Sequence, residues 1–218
     1  MSEYAPSFNR GMARLEGAIR MNRRIARVGA GIVCATVFLF ALFLIVDFKF
    51  GYYLVCMFLP IGYIMTAAGF QVEAREDSKV AANVGLVLAA IYATLVLLVY
   101  FAQNTSVRLD GLGEEALRVL DFGRGGLIFN YDLLGYGTMA LSTFFIGLSV
   151  RAESRADLWL KRLLMLHGAF FIGCFIMPMT GVFNSMADGQ NGSGGVIALV
   201  AWCAYFLPVG ALAYRHFR

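Results

Sequence analysis

Residues 80–102 read VAANVGLVLAAIYATLVLLVYFA, an apolar run that contains no charged side chain. About 20 such residues in a helix cross the ~30 Å hydrocarbon core of a bilayer, because each residue adds about 1.5 Å. The chain contains five more continuous apolar runs of similar length, at residues 28–46, 51–70, 126–150, 163–183 and 195–214. The sequence therefore predicts an all-α fold, a polytopic membrane bundle of six transmembrane helices.

Composition favours an integral membrane protein over a soluble domain. Of the 218 residues, 60% are hydrophobic and 15% are charged, and the mean hydropathy is +0.71. Soluble domains are about half apolar and about a quarter charged. The predicted bundle spans residues 28–218, mostly with short loops. All four cysteines fall inside predicted spans, where thiols usually pack as small apolar groups, so we expect no disulfide framework, metal site or cofactor.

Lys and Arg are distributed unevenly between the two predicted faces of the membrane. When the termini and loops are assigned alternately, one side collects fourteen of the 18 and the other side four. Positive residues accumulate on the cytoplasmic side of membrane proteins, so both termini are predicted to be cytoplasmic. The pI near 9.0 then reflects this topology and an attraction to anionic lipid, and nucleic acid is not an expected partner.

The segment 1–27, before the first predicted span, is rich in arginine. Within it, Phe8, Met12, Leu15 and Ile19 recur at helical spacing, which is typical of a helix lying along a membrane surface. We predict an amphipathic helix on the cytoplasmic leaflet, in contact with anionic lipid. The alternative is a basic tail that only sets the topology.

The longest predicted connection, residues 103–125, lies on the extracytoplasmic side. Within it, residues 114–122 are predicted to form a short helix, because Glu114, Arg118 and Asp121 then share one face. Such a helix either rests on the outer surface or covers the mouth of the bundle. The surface position is favoured.

Asp132 is the main candidate for a functional residue. It lies inside the fourth predicted span, ~9 Å below its outer end at helical rise, and a charged group at this depth is costly without a partner. Helical spacing aligns it with other polar or small residues that form one stripe, which should face the bundle: Gly135, Tyr136, Met139, Ser142 and Thr143.

The outer ends of the third and fourth predicted spans bring further polar residues to the depth of Asp132. The predicted binding residues are Asp132, Asn130, Tyr136, Gln103 and Asn104. They are expected to line a polar pocket that opens outward. The alternative is an interhelical hydrogen-bond cluster that only holds helices together, worth ~0.6 to 2 kcal/mol per bond. His167, deeper in the fifth predicted span, is interpreted as such a hydrogen-bonding residue.

Absent motifs narrow the choice of function. All three lysines, Lys49, Lys79 and Lys161, flank predicted spans, so no buried lysine can carry retinal. The sequence contains no GxSxG, HExxH or P-loop pattern. A membrane enzyme that acts on lipid is therefore only a third hypothesis, without visible catalytic residues.

One stretch of the chain resembles a known group of proteins. It comprises Tyr100-Phe101-Ala102-Gln103-Asn104-Thr105-Ser106-Val107-Arg108, then Gly113-Glu114, then Asp132-Leu133-Leu134-Gly135-Tyr136. This stretch is similar to uncharacterised bacterial six-helix inner-membrane proteins that carry an acidic residue before Leu-Gly-Tyr in helix four. The resemblance implies the topology and a bacterial inner-membrane location, and it draws attention to Asp132. It implies no activity.

Two functional hypotheses follow. In the first, the protein binds or passes a small solute, ion or lipid through a polar cleft with Asp132 as the charged contact. In the second, it is a structural or regulatory subunit that associates with a partner or as a homo-oligomer. Gly29 and Gly31, together with Gly135 and Gly137, would suit the close helix approach that the second hypothesis requires.

Overall fold

The computed structural model describes residues 4–183 and 193–218, and within residues 4–15 and 193–194 only the backbone. The described chain is helical throughout, without strands, which confirms the all-α prediction. The helices are α1 (Tyr4–Ile45), α2 (Lys49–Glu73), α3 (Lys79–Ala102), α4 (Glu114–Leu120), α5 (Leu127–Ser149), α6 (Arg155–His167), α7 (Phe170–Met179) and α8 (Ser193–His216). A π-helical turn (Gln103–Val107) continues α3, and a 3₁₀ turn (Phe122–Arg124) follows α4.

Five helical stretches are long and apolar enough to cross a membrane. They are Glu16–Ile45, Lys49–Glu73, Lys79–Val107, Arg155–Met179 and Gly195–His216. The fourth predicted span, α5, is not among them, although its 23 residues give it sufficient length. Polar residues such as Asn130, Asp132 and Thr138 make α5 less apolar. Because α5 packs against α2, α3, α6 and α7, much of its surface is shielded by protein.

The helices form a ring in which each packs on its neighbour. The order of contact is α1, α2, α3, α5, α6 and α8, and α8 returns to α1; α7 packs on α5. Two glycines set the separation of α1 and α2, because a Cβ atom added at Gly29 would lie 2.6 Å from the carbonyl oxygen of Gly62. The backbones of these two helices are therefore in direct contact.

The fifth predicted span differs from the expected continuous helix at 163–183. Helix α6 begins earlier, at Arg155, where Ser154 and Asp157 form a reciprocal capping box. The helix is interrupted between His167 and Phe170. A Cβ atom at Gly168 would lie 2.7 Å from the Cβ atom of Phe144, so the interruption occurs where the chain passes close to α5.

The N-terminal segment is helical, as predicted, and it continues into the first span without a turn. Residues 16–25 are all exposed, and packing against the bundle begins at Ala26. At helical rise the 42 residues of α1 extend over about 63 Å, twice the thickness of a hydrocarbon core. The apolar face through Phe8, Met12 and Leu15 lies outside the described side chains, and its position on the leaflet stays a prediction.

Candidate functional site

Asp132 is buried in the second turn of α5, with 5% of its surface exposed. Its Oδ1 atom has no hydrogen-bond partner in the described chain. None of the ion pairs between described residues includes Asp132. Buried carboxylates are normally paired or fully hydrogen-bonded, so this one is an exception that requires an explanation.

Aromatic side chains surround Asp132. The hydroxyl group of Tyr100 on α3 lies beside the carboxylate, and Tyr92 and Tyr136 are also close enough to interact with it electrostatically. The rings of Tyr92 and Tyr136 meet edge to face, with centroids 5.6 Å apart. Cys56 on α2 and Cys174 on α7 complete the surroundings.

Two more buried polar groups close to this region lack partners. Both side-chain atoms of Asn104, which is 8% exposed, and the hydroxyl group of Tyr92 make no hydrogen bond within the described chain. Tyr92, Tyr100 and Asn104 follow one another on one side of α3 at multiples of four residues, where side chains share a helix face. We define the Asp132 cluster as Asp132, Tyr92, Tyr100 and Tyr136.

The π-helical turn explains how two consecutive polar residues become buried. It inserts an extra residue into the helix, so Gln103 and Asn104 both point inward. Such turns occur frequently at functional sites. The π-helical turn begins one helical turn beyond Tyr100, which is the residue of α3 that lies beside Asp132.

Gln103 has a role that was not predicted. Its Nε2 atom donates a hydrogen bond to the carbonyl oxygen of Leu120 at 2.8 Å, and its Oε1 atom accepts one from the backbone N–H of Phe122 at 3.0 Å. Both ends of the amide are thus used to hold the outer loop. Gln103 therefore anchors the loop, and its contact with a ligand stays a prediction.

Asn130 is also separated from the cluster. Residues two positions apart on a helix do not face each other, so the half-buried Asn130 points away from Asp132. Tyr136, one turn below Asp132, does share its face and stays in the cluster. Of the five predicted binding residues, the structure thus places Asp132 and Tyr136 on one face of α5, while Asn104 is buried in the π-helical turn without a side-chain partner in the described chain.

The outer loop packs over the bundle beside Tyr100, and the outward opening of the cleft stays a prediction. The ring of Phe122 packs on Tyr100, Tyr53 and Phe129, with centroids 6.1, 5.9 and 5.1 Å away. Helix α4 itself has no buried residue, as expected for a surface helix. The part of the loop that packs on Tyr100 is the 3₁₀ turn that follows α4.

An ion pair stabilises the loop. Arg124 donates a hydrogen bond to the carboxylate of Glu114 at 2.7 Å. This hydrogen bond, together with the positive charge of Arg124, holds the pKa of Glu114 below its ordinary value. Glu114 is exposed and Arg124 is partly exposed, so the contribution to stability is small.

His167 forms the hydrogen-bonding bridge predicted for it. Trp202 on α8 donates to its Nε2 atom at 3.1 Å, so the proton of the neutral ring belongs on Nδ1. The Nδ1 atom lies 2.8 Å from the hydroxyl oxygen of Thr143, which itself donates to Ala140. The ring of Trp202 also contacts Tyr136 at 5.5 Å, which connects this bridge to the Asp132 cluster.

A second polar cluster was missed by sequence reasoning. His216 at the end of α8 lies between two carboxylates, with Nδ1 2.7 Å from Asp157 and Nε2 3.1 Å from Glu73. Glu73 also accepts a hydrogen bond from Arg23 at 2.7 Å. The four residues join α8, α6, α2 and α1. The capping pattern from Ser154 to Asp157 could have drawn attention to Asp157 from the sequence alone. The contacts of His216 could not be predicted, because they join residues that are 59 and 143 positions apart.

In comparisons with known proteins, no family model, no curated protein and no solved structure matched the chain. Function is therefore inferred from the chemistry of the Asp132 cluster. That cluster offers one carboxylate and three tyrosine side chains. A carboxylate attracts a positive charge, and aromatic faces add to that attraction through their quadrupoles. The group that best complements the cluster is a cation.

Proposed function

We propose that the protein is an integral membrane protein that binds a positively charged solute at Asp132. The observation that supports this most strongly is a buried carboxylate without a positive partner in the described chain. An Asp at the centre of a membrane helix costs about 2.5 to 3.5 kcal/mol on insertion scales. A bound cation offsets that cost, whereas the hydroxyl group of Tyr100, which lies beside the carboxylate in the described chain, supplies a hydrogen bond but no positive charge.

The packing of α5 supports a sixth crossing of the membrane. At one end of the α3–α5 contact, a Cβ atom at Gly135 would lie 2.9 Å from Val96; at the other end, one at Gly85 would lie 2.7 Å from Ile146. Helix α5 therefore runs antiparallel to α3 along most of its length. If α3 crosses the bilayer, so does α5, and Asp132 lies in its outer part. The excess of Lys and Arg then puts both termini in the cytoplasm.

The second hypothesis, a structural or regulatory subunit, loses the residues that favoured it. Gly29 packs against α2, and Gly135 packs against α3. Gly31 faces Tyr214, and Gly137 faces Cys174. All four glycines thus serve contacts within this chain, and they offer no specific surface to a partner.

The proposal is tested by cation-dependent stabilisation. Purified protein in lipid nanodiscs is unfolded by heat at constant ionic strength, with sodium, potassium or tetramethylammonium as the varied cation. A cation at 100 times its Kd stabilises the folded state by about 2.7 kcal/mol. We expect at least one of them to give a saturable increase in Tm.

Two variants test whether the increase in Tm comes from a cation bound at Asp132. Asp132→Asn should abolish it, whereas Asp110→Asn, which removes an exposed loop carboxylate, should retain it. No saturable increase with any of the three cations, or an equal increase in Asp132→Asn, would overturn the proposal.

A further inference from the structure

Helices α7 and α8 meet near the middle of the bundle and make little contact beyond it. The meeting point is formed by the His167–Trp202 hydrogen bond and by the rings of Phe170 and Tyr205, whose centroids are 5.9 Å apart. It lies about 18 Å along the helix from Arg155 at helical rise. From this point outward, the described residues of α7 pack mainly on α5.

The outer halves of both helices are exposed on nearly every face. In α7, Ile172 is 61% exposed and Met179 is 72% exposed; in α8, Ile197 is 65% exposed. Helix α7 buries no residue, and residues 195–199 of α8 are all exposed. Two helices packed on each other would bury a shared stripe, so the described parts of α7 and α8 diverge outward from Trp202.

Small residues leave additional space between the outer halves of α7 and α8. On α7, Gly173 shares a face with Phe170 and Met177, the side on which Phe170 meets α8. On α8, Gly195 and Ala198 lie above Trp202 on the corresponding face. A Cβ atom at Gly195 would meet nothing within 4 Å. We call the space bounded by Gly173, Met177, Gly195 and Ala198 the lateral opening.

The lateral opening borders on the Asp132 cluster. Trp202, at its inner limit, contacts Tyr136 of the cluster at 5.5 Å. Cys174, next to Gly173, packs on α5 one turn below Asp132, where a Cβ atom added at Gly137 would lie 3.3 Å from the Cβ atom of Cys174. The Phe122 turn packs on Tyr100 at the outer side of the cluster, whereas many described side chains of α7 and of the first part of α8 are exposed.

We propose that the cation bound at Asp132 is lipophilic and enters from the bilayer through the lateral opening. This inference rests on the proposed function and specifies the class of its ligand. It is a quaternary ammonium or phosphonium ion that carries apolar groups. The positive centre pairs with Asp132 among the tyrosine rings, and the apolar groups extend between α7 and α8.

The lining of the opening excludes a strongly hydrated ion. Residues 170–179 and 195–202 contain no charged side chain, so no group replaces the water that a small inorganic ion would lose on entry. A quaternary ion holds its hydration shell weakly and partitions into lipid. Once inside, it gains from cation–π contact with tyrosines, worth up to about 2 kcal/mol when water is excluded.

The test uses tetraphenylphosphonium and tetramethylammonium with the full-length protein in nanodiscs. Tetraphenylphosphonium binding is followed at equilibrium and by stopped flow. We expect Asp132→Asn to abolish equilibrium binding of both ions. Gly173→Trp should fill the lateral opening and reduce the association rate of tetraphenylphosphonium by about tenfold or more, within the range over which variants of one site differ. Ile172→Trp, on the exposed face of α7, is the matched control and should leave the rate unchanged.

The outcomes separate this inference from the proposed function. If tetramethylammonium binds through Asp132 but tetraphenylphosphonium does not, the inference is overturned and the proposed function stands. The same conclusion follows if Gly173→Trp and Ile172→Trp have equal association rates. If neither ion binds, the inference fails, and the proposed function stands only if sodium or potassium gives a saturable increase in Tm that Asp132→Asn abolishes. Slower association in Gly173→Trp alone, with Asp132-dependent binding, supports the inference.

Discussion

At the scale of single residues, Asp132 is a buried carboxylate whose Oδ1 atom has no hydrogen-bond partner in the described chain. A buried group without a partner costs the folded state about 1–3 kcal/mol in lost hydration. We therefore predict that Asp132→Leu raises the Tm of the cation-free protein, or leaves it unchanged, while cation binding is lost. Thermal unfolding of Asp132→Leu and of the parent protein, in a buffer without the bound cation, measures the difference in Tm. A clearly lower Tm in Asp132→Leu would mean that the carboxylate stabilises the bundle, as the structural alternative requires.

Gln103 and Asn104 provide a matched pair, because they are adjacent amides with opposite surroundings. Gln103→Leu removes both hydrogen bonds to the outer loop and should destabilise it by about 1–3 kcal/mol. Asn104→Leu removes no hydrogen bond of its side chain. We predict faster backbone hydrogen exchange at residues 117–124 in Gln103→Leu than in Asn104→Leu. Equal exchange in the two variants would contradict the anchoring role.

The sequence predicted Asp132 as the centre of the site because its burial follows from position and periodicity alone. Asn130 was included on depth, and depth carries no information about the direction in which a side chain points. The anchoring role of Gln103 could not be predicted from the sequence, because its hydrogen-bond partners lie 17 and 19 positions away in a loop. Tyr92 and Tyr100 had a usable signal in their eight-residue spacing on α3. Because tyrosine is common in membrane helices, this spacing alone did not single out Tyr92 and Tyr100.

At the scale of helices, the contact between α1 and α2 depends on glycine. An alanine methyl group at Gly29 would meet the Gly62 carbonyl oxygen at 2.6 Å, whereas one at Gly31 would meet the Tyr214 ring at 3.6 Å. The first distance requires the helices to separate, which typically costs about 1–3 kcal/mol. We predict that Gly29→Ala lowers the Tm and that Gly31→Ala has little effect. A similar Tm for both variants would contradict the close backbone contact.

Helix positions were largely predictable, and their irregularities were not. Apolar runs predicted α2, α3, α5 and α8 to within a few residues, because a membrane-spanning segment requires a minimum apolar length. The early start of α6 depends on the Ser154–Asp157 capping box, outside any apolar run. The interruption at Gly168 and the π-helical turn after Ala102 depend on contacts with distant parts of the chain. Local sequence does not encode those contacts.

At the scale of the whole molecule, the proposed topology places the outer loop and the α2–α3 turn on opposite sides of the membrane. Asp110 and Glu76 are exposed in these two segments. In a background without the four native cysteines, Asp110→Cys should react in sealed cells with a membrane-impermeant thiol reagent. Glu76→Cys should react only after the cells are opened. Labelling of Glu76→Cys in sealed cells would contradict both the orientation and the six crossings.

The central claim, a cation held at Asp132, is tested most directly by locating such a cation. Tetramethylarsonium has the shape and charge of tetramethylammonium, and its arsenic atom gives an anomalous X-ray signal. In crystals grown with it, we predict an arsenic peak within about 6 Å of the Asp132 carboxylate, the range over which opposite charges interact strongly. The peak should disappear in Asp132→Asn. No peak beside Asp132, or an undiminished peak in Asp132→Asn, would contradict the claim.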